Sequence, residues 1–368
     1  MKQAFLFLLF LTTCSWLGAQ NGSLSERLSY AEDCLYDDNY QEAKKVLLEI
    51  KDQCLNSDSD SIQAVFCHLT GCVLLNNGDV ENGLKYLQAC CAIREKEDDI
   101  FMNEYWDAAV GIIDTYVDME DYQKAAFFCR RFLVRNEESI ELNPSSLLGL
   151  FTQLCMPPQI AWIYSELGTC MEALGDSDIV DRIYLRGQQY ADKYCDEKEP
   201  WAVINLYNLR RLYFEQRRFA DAHDQYLKIS NKMAEAYGTR HPEYVKSVGG
   251  LVSFYRQLSL YEDAVGTGEY ILKQASDSIG LSDPSLNYVY PHYLMSLSYL
   301  GRYDEVDAAL PYARMAIDQD SESAIGIADL YYYIAFAANE REDKQSARKY
   351  YELYLSELDD KSTAKSLE

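Results

Sequence analysis

The sequence predicts an all-α protein, a right-handed α-solenoid of about eight antiparallel helical hairpins, on three observations. Pro158, Pro200, Pro242 and Pro284 fall 42 residues apart, and Phe219, Tyr261 and Tyr303 keep the same step. A small or β-branched residue recurs with nearly that spacing at Ala43, Gly83, Ala125, Val180, Ala222, Ala264, Val306 and Ala347. Turn-formers are scarce, 18 Gly and 8 Pro in 368 residues that are 48% hydrophobic, and no alternating run is bounded by Asn-Gly or Asp-Gly. A fixed period of this length is the mark of stacked supersecondary units, and the missing alternation removes strands from consideration.

Residues 1–20 read as a cleaved secretory signal. Lys2 supplies the charged start, Ala4 to Leu11 is an unbroken apolar run, and Leu17-Gly18-Ala19 offers small residues before the polar Gln20-Asn21-Gly22. The run is too short to span a bilayer. Leu11-Thr12-Thr13-Cys14 departs from a lipobox in the residue before its Cys, so a lipid anchor at Cys14 is not expected. The expected location is the periplasm or cell envelope, with cleavage after residue 19 or 20 and no transmembrane segment.

Repeats 1–3 are placed at 21–137, each turning on a phrase such as Asp38-Asn39-Tyr40-Gln41-Glu42-Ala43 or Glu120-Asp121-Tyr122-Gln123-Lys124-Ala125. The step from Ala125 to Val180 is 55 residues, and the excess is assigned to an insertion or linker at 138–158, where Asn143-Pro144 and Met156-Pro157-Pro158 bracket Leu147 to Leu154. Repeats 4–8 occupy 159–358. In the sixth, Val248, Leu251, Val252 and Tyr255 recur at three and four, the buried face of a first helix, and Ala264, Tyr270 and Ile271 continue in a second. The seventh repeats this with Tyr290, Tyr293, Leu294 and Leu297. Residues 359–368 are read as a frayed tail.

Leu167-Gly168, Gly71, Tyr255, Tyr261, Ala264 and their 42-residue partners resemble tetratricopeptide repeats, whose usual unit is 34 residues. Gly238-Thr239-Arg240-His241-Pro242 and Gly280-Leu281-Ser282-Asp283-Pro284 between units are similar to the 42-residue variant of kinesin light chains. The resemblance covers Leu24 to Leu358 and implies a non-enzymatic scaffold whose first helices line a groove for a protein or peptide partner. In that register the groove-facing residues are Tyr207, Asn208 and Arg211 in the fifth unit, Ser253 and Arg256 in the sixth, and His292, Met295 and Tyr299 in the seventh. Arg211 and Arg256 would fork onto a carboxylate, with Tyr207 and Tyr299 as stacking area. The other reading of the arginines is pairing with neighbouring carboxylates on helix surfaces.

The remaining chemistry is sparse. The net charge of −25 excludes a nucleic-acid role. The four His residues, at 68, 223, 241 and 292, lack a second His three or four places away, and no phosphate loop, nucleophile elbow or metalloprotease motif is present. No catalytic residue, cofactor or metal is therefore expected, and His241 beside Pro242 is read as structural. Ten of the eleven cysteines lie beyond the signal. They are read mainly as small hydrophobes between helices, with one disulfide, Cys67 to Cys90 or Cys91, as the candidate exception. The alternative function comes from Ala347 to Leu355, which looks like the last repeat of bacterial sensors. On that reading the chain is a sensory input domain, or a truncated relative, of a two-component sensor.

Overall fold

The computed structural model describes residues 22–96, 102–142, 158–319 and 325–365. The signal segment with Cys14 and residues 143–157 of the expected insertion lie outside the described residues. The chain divides into two compact units, Met1–Cys195 and Asp196–Glu368. Among the described residues there is no strand.

Among the described residues each unit holds four helical hairpins. The first comprises α1 (Leu24–Tyr36) with α2 (Tyr40–Leu55), α3 (Asp60–Asn76) with α4 (Val80–Lys96), α5 (Asn103–Asp118) with α6 (Tyr122–Leu142), and α7 (Gln159–Ala173) with α8 (Val180–Tyr194). The second comprises α9 (Ile204–Glu215) with α10 (Phe219–Tyr237), α11 (Pro242–Gln257) with α12 (Tyr261–Ser276), α13 (Tyr290–Leu300) with α14 (Tyr303–Asp318), and α15 (Ile327–Glu340) with α16 (Lys344–Lys365). Helix α6 runs on to Leu142, so its last turn replaces the start of the linker expected from residue 138.

The repeated residues explain the hairpins. All eight anchor residues are buried near the start of the second helix, where only a small side chain lets it approach the first. Gly168 shows how tight this is, because a Cβ there would come within 2.2 Å of the Tyr184 ring. The 42-residue prolines each stand at the entry to a first helix: Pro158 caps α7, Pro242 opens α11, and Pro200 and Pro284 open short 3-10 turns, Pro200–Ala202 and Pro284–Tyr288. Proline costs nothing there, since its missing N–H would have no intrahelical partner. His241 is the N-cap of α11, its Nδ1 accepting from the Glu243 amide at 3.2 Å, as its structural reading requires.

A second repeat lies in the backbone. Five residues before every anchor, at Asp38, Gly78, Glu120, Gly175, Arg217, Ser259, Gly301 and Glu342, φ is positive. The next amide reaches back to the carbonyl five residues earlier, for example Asn39 to Cys34 at 2.8 Å, Leu260 to Tyr255 at 2.9 Å and Asp343 to Ala338 at 3.0 Å. This is the Schellman closure of a helix C-terminus, repeated eight times. Five of the eight are not glycine, so each carries a left-handed penalty of about 1 kcal/mol. Ser259→Gly is expected to raise stability by roughly 0.5 kcal/mol after the unfolded-state entropy of glycine is deducted, seen as a raised urea midpoint without change in slope.

Tyrosine fills the core in a consistent manner. Tyr105, Tyr184, Tyr290 and Tyr350 are fully buried, and their hydroxyls donate to Glu95 (3.0 Å), Glu172 (2.6 Å), the Leu281 carbonyl (2.8 Å) and Asp307 (2.9 Å). Each ring packs while its polar end is satisfied. Tyr270, expected on the packed face of α12, is exposed instead, and Ile271 beside it fills the core.

The cysteines form no bridge between Cys67 and Cys90 or Cys91. All three are free and buried. The Cys90 and Cys91 thiols donate to carbonyls in the first turn of α5, those of Glu104 (3.7 Å) and Tyr105 (3.8 Å). They pack as small hydrophobes, and burial pushes the Cys67 thiol up to about 11 and that of Cys91 to about 12.

Candidate functional site: a cleft in the second unit

Between α9, α11, α13 and the Pro284–Tyr288 turn lies a cleft of about 500 Å³. Its floor is the Gly249-Gly250 pair of α11. A Cβ on Gly249 would stand 2.6 Å from the Tyr288 carbonyl oxygen, so glycine lets the turn close onto the helix. Three residues expected in the groove, Tyr207, Ser253 and His292, line this cleft.

Its principal charged group is Arg210. The guanidinium carbon sits 4.9 Å from the Tyr207 ring centre and 4.7 Å from that of Tyr226, held between two aromatic faces. Among the described residues no carboxylate pairs with it. Lys246 differs: its Nζ is 3.0 Å from Glu243 and lies over the Tyr288 ring at 5.6 Å. Burial raises the pKa values of both Tyr207 and Tyr226, against the opposing effect of Arg210, so the phenols stay protonated and available as donors.

His292 closes one side. Its Nδ1 accepts from Arg256 Nε at 3.1 Å, so the neutral ring carries its proton on Nε2. Burial, and then the Arg256 charge, hold its pKa down at about 4. Arg256 therefore orients His292 from behind and is not itself a lining residue.

Four other expected groove residues are placed elsewhere. Arg211 forms an i,i+4 ion pair with Glu215 at 3.2 Å on the exposed side of α9. Asn208 is half-buried on α9 outside the lining. Tyr299 stacks on Tyr261, ring centres 4.6 Å apart and 8° from parallel. Met295 is only 4% exposed, a core residue. The phase of α9 explains the exchange of arginines. Leu206, Leu209, Leu212 and Tyr213 face the core, so Arg210 lies one residue-step, about 100°, round from Leu209, whereas Arg211 lies on the far side.

One pairing elsewhere has the residue types of nucleophilic catalysis, Cys72 Sγ at 3.5 Å from His68 Nε2 on α3. Burial pushes the Cys72 thiol up to about 11 and lowers the His68 pKa, opposite to the activation a thiolate nucleophile needs. Among the described residues no group of three or more His, Cys, Asp or Glu could hold a metal ion, and no helix is long and apolar enough to cross a membrane.

The hairpin register and its closely packed anchors define an all-α array of helical-hairpin repeats similar to tetratricopeptide repeats, with a polar, aromatic cleft in the second unit. No protein-family model matches the chain, and no curated protein matches it. Solved structures similar to it include BtubC (BKLC) from P. vanneervenii, at 13% identity over 64% of this chain and 90% of that one, TM-score 0.46. Others are the quorum sensor NprR from B. thuringiensis, at 13% identity over 89% and 85%, TM-score 0.46, and a Podosopora anserina putative kinesin light chain with TPR-like repeats, at 14% over 59% and 96%, TM-score 0.43.

Proposed function

We propose that the protein is an exported, non-enzymatic scaffold that captures an acidic protein or peptide segment, and that the segment's carboxylate is received by Arg210 in the cleft of the second unit. The observation that carries this reading is Arg210 itself. In a chain of net charge −25, its guanidinium is preorganised between two tyrosine rings with no carboxylate of the described residues upon it. A charge-assisted hydrogen bond to a carboxylate is worth roughly 1.5–3 kcal/mol, more when the donor loses no freedom on binding. His292 Nε2–H and the two phenols add neutral donors around it. Export is supported by the first twenty residues.

The test uses short peptides ending in Asp or Glu, as free acids and as amides, read by fluorescence anisotropy. Arg210→Ala is expected to weaken binding by about tenfold to a hundredfold, and Arg211→Ala by less than about twofold. Unchanged binding by Arg210→Ala removes the cleft from consideration. A native protein beginning after residue 19 or 20 checks the export.

A further inference from the structure

The first unit carries an apolar pocket of about 310 Å³, walled by α2, α3 and the start of α4. Two of these walls are second helices, whereas the cleft around Arg210 is built chiefly on first helices. Lys44, Leu47, Leu48 and Lys51 fall at three, four and seven along α2 and so share one face. Leu47 is buried with Phe66 and Val73 of α3, and these three form the floor. Tyr86 of α4 meets the Phe66 ring edge to face, centres 6.2 Å apart. Leu48, on the rim, is 64% exposed.

Two glycines shape the hollow. A Cβ on Gly71 would come within 2.5 Å of the Leu87 side chain, and one on Gly83 within 2.7 Å of that of Leu75. Helices α3 and α4 therefore close tightly on each other, and the gap falls on the α2 side.

The charges of the pocket select its occupant. Lys44 and Lys51 stand seven residues apart, about 10 Å along the axis of α2, and both border the hollow. Among the described residues neither is paired with a carboxylate, whereas Lys45, outside the lining, pairs with Glu42 at 3.5 Å. The one carboxylate in the lining is Asp79, which accepts from the Asn82 side-chain amide at 2.9 and 3.1 Å. Asp79 shares the Lys44 end of the pocket, because Gln41, three residues before Lys44, bonds to Asn77 at 3.4 Å. The Lys51 end is cationic alone. Lys44 is half-buried, its stem serving as apolar wall. An extended peptide would need polar partners for its backbone, and the lining offers few, since Asn82 holds Asp79 and the Thr70 hydroxyl is buried. The volume is at the lower end of the roughly 300–1,000 Å³ of small-molecule pockets.

We propose that this pocket binds a small amphipathic carboxylate, a medium-chain acid whose tail lies over Phe66, Val73 and Leu74 and whose carboxylate meets the Lys51 ammonium.

Isothermal titration calorimetry of the purified protein with octanoate tests this, with circular dichroism confirming that each variant keeps its helices. Butyrate, with the same carboxylate on a shorter tail, is expected to bind about a hundredfold more weakly, and octan-1-ol, with the tail alone, about fivefold. Lys51→Ala is expected to weaken octanoate binding about fivefold and Lys44→Ala about twofold. Leu48→Asp, at an exposed position, sets a carboxylate four residues after Lys44 and three before Lys51, and is expected to weaken it about thirtyfold. Absence of saturable octanoate binding at millimolar concentration overturns the proposal. So does binding that Leu48→Asp leaves unchanged, or an octan-1-ol affinity equal to that of octanoate. An acidic amphipathic peptide that binds through Leu48 and Lys51 while octanoate does not would also overturn it, giving the pocket to a protein partner.

Discussion

Glu104→Ala is expected to lower the stability of the first unit by about 3–5 kcal/mol, the effect of removing one partner of a buried ion pair. Arg94 of α4 is 1% exposed. It donates to the Glu104 carboxylate in the first turn of α5 and, at 3.1 Å, to Ser61 Oγ of α3, tying the second hairpin to the third. Beside it a second link has the same logic: Glu95 of α4 accepts from Tyr105 of α5 at 3.0 Å and from Arg131 of α6 at 2.8 and 3.0 Å. Water reaches Arg94 too little to replace the lost carboxylate, so the cost is desolvation as well as a missing bond. The measurement is urea unfolding of Glu104→Ala against the paired variant Arg94→Met with Glu104→Leu. Because the pair removes both charges, it is expected to recover most of the loss. Equal destabilisation of the two variants would mean that packing, not charge, dominates there.

Acidification is expected to act on the two units in opposite directions. Glu166 of α7 has its pKa raised to about 7, first by burial and then by the charge of Asp114. The unfolded carboxyl, with an ordinary value near 4.5, loses its proton earlier, so the stability Glu166 contributes is present below that value and is lost as pH rises from about 4.5 to 7. His292 behaves in reverse. Its folded pKa is held near 4 against an ordinary 6.5, so its contribution is present above 6.5 and is lost as pH falls towards 4. Each effect is expected to reach roughly 2 kcal/mol after allowance for partial exposure. Trp106 and Trp162 report the first unit and Trp201 the second, so unfolding followed at each separates the trends. Glu166→Gln is expected to flatten the first and His292→Asn the second. Parallel pH dependence at the three tryptophans, insensitive to both substitutions, would refute the assignment.

The parts of this fold that were legible in the sequence are those decided within one hairpin. The anchor position needs a small residue because two helices meet there whatever lies around them, so Ala43, Ala222 and Val306 could be read as buried from spacing alone. The prolines mark helix entries for an equally local reason. The groove was harder. Whether Met295 faces a ligand or a neighbour depends on how α15 settles on α13, which the sequence of α13 does not encode. Spacing alone does not separate Arg210 from Arg211, because the phase of α9 is fixed only when Leu206, Leu209 and Leu212 choose the core. The five left-handed turns at non-glycine residues carry no residue signature: Asp38, Arg217 and Ser259 share nothing except distance from an anchor. The spacing of Cys67, Cys90 and Cys91 allows a bridge, whereas in the structure all three are free and Cys90 and Cys91 donate to carbonyls of α5.

That set of positive-φ turns has a use. Seven of the eight residues are solvent-exposed, and only Gly301 is covered, by Arg341, whose guanidinium donates to the Tyr299 carbonyl at 2.6 Å. The other seven hold their place through backbone hydrogen bonds, joined at Asp38 and Ser259 by a side chain that accepts from Tyr40 and Tyr261. They are evenly numbered posts, one to a hairpin, at which a dye, a spin label or a grafted loop can be mounted without touching the packing between helices, and along which the opening of single hairpins can be followed in sequence.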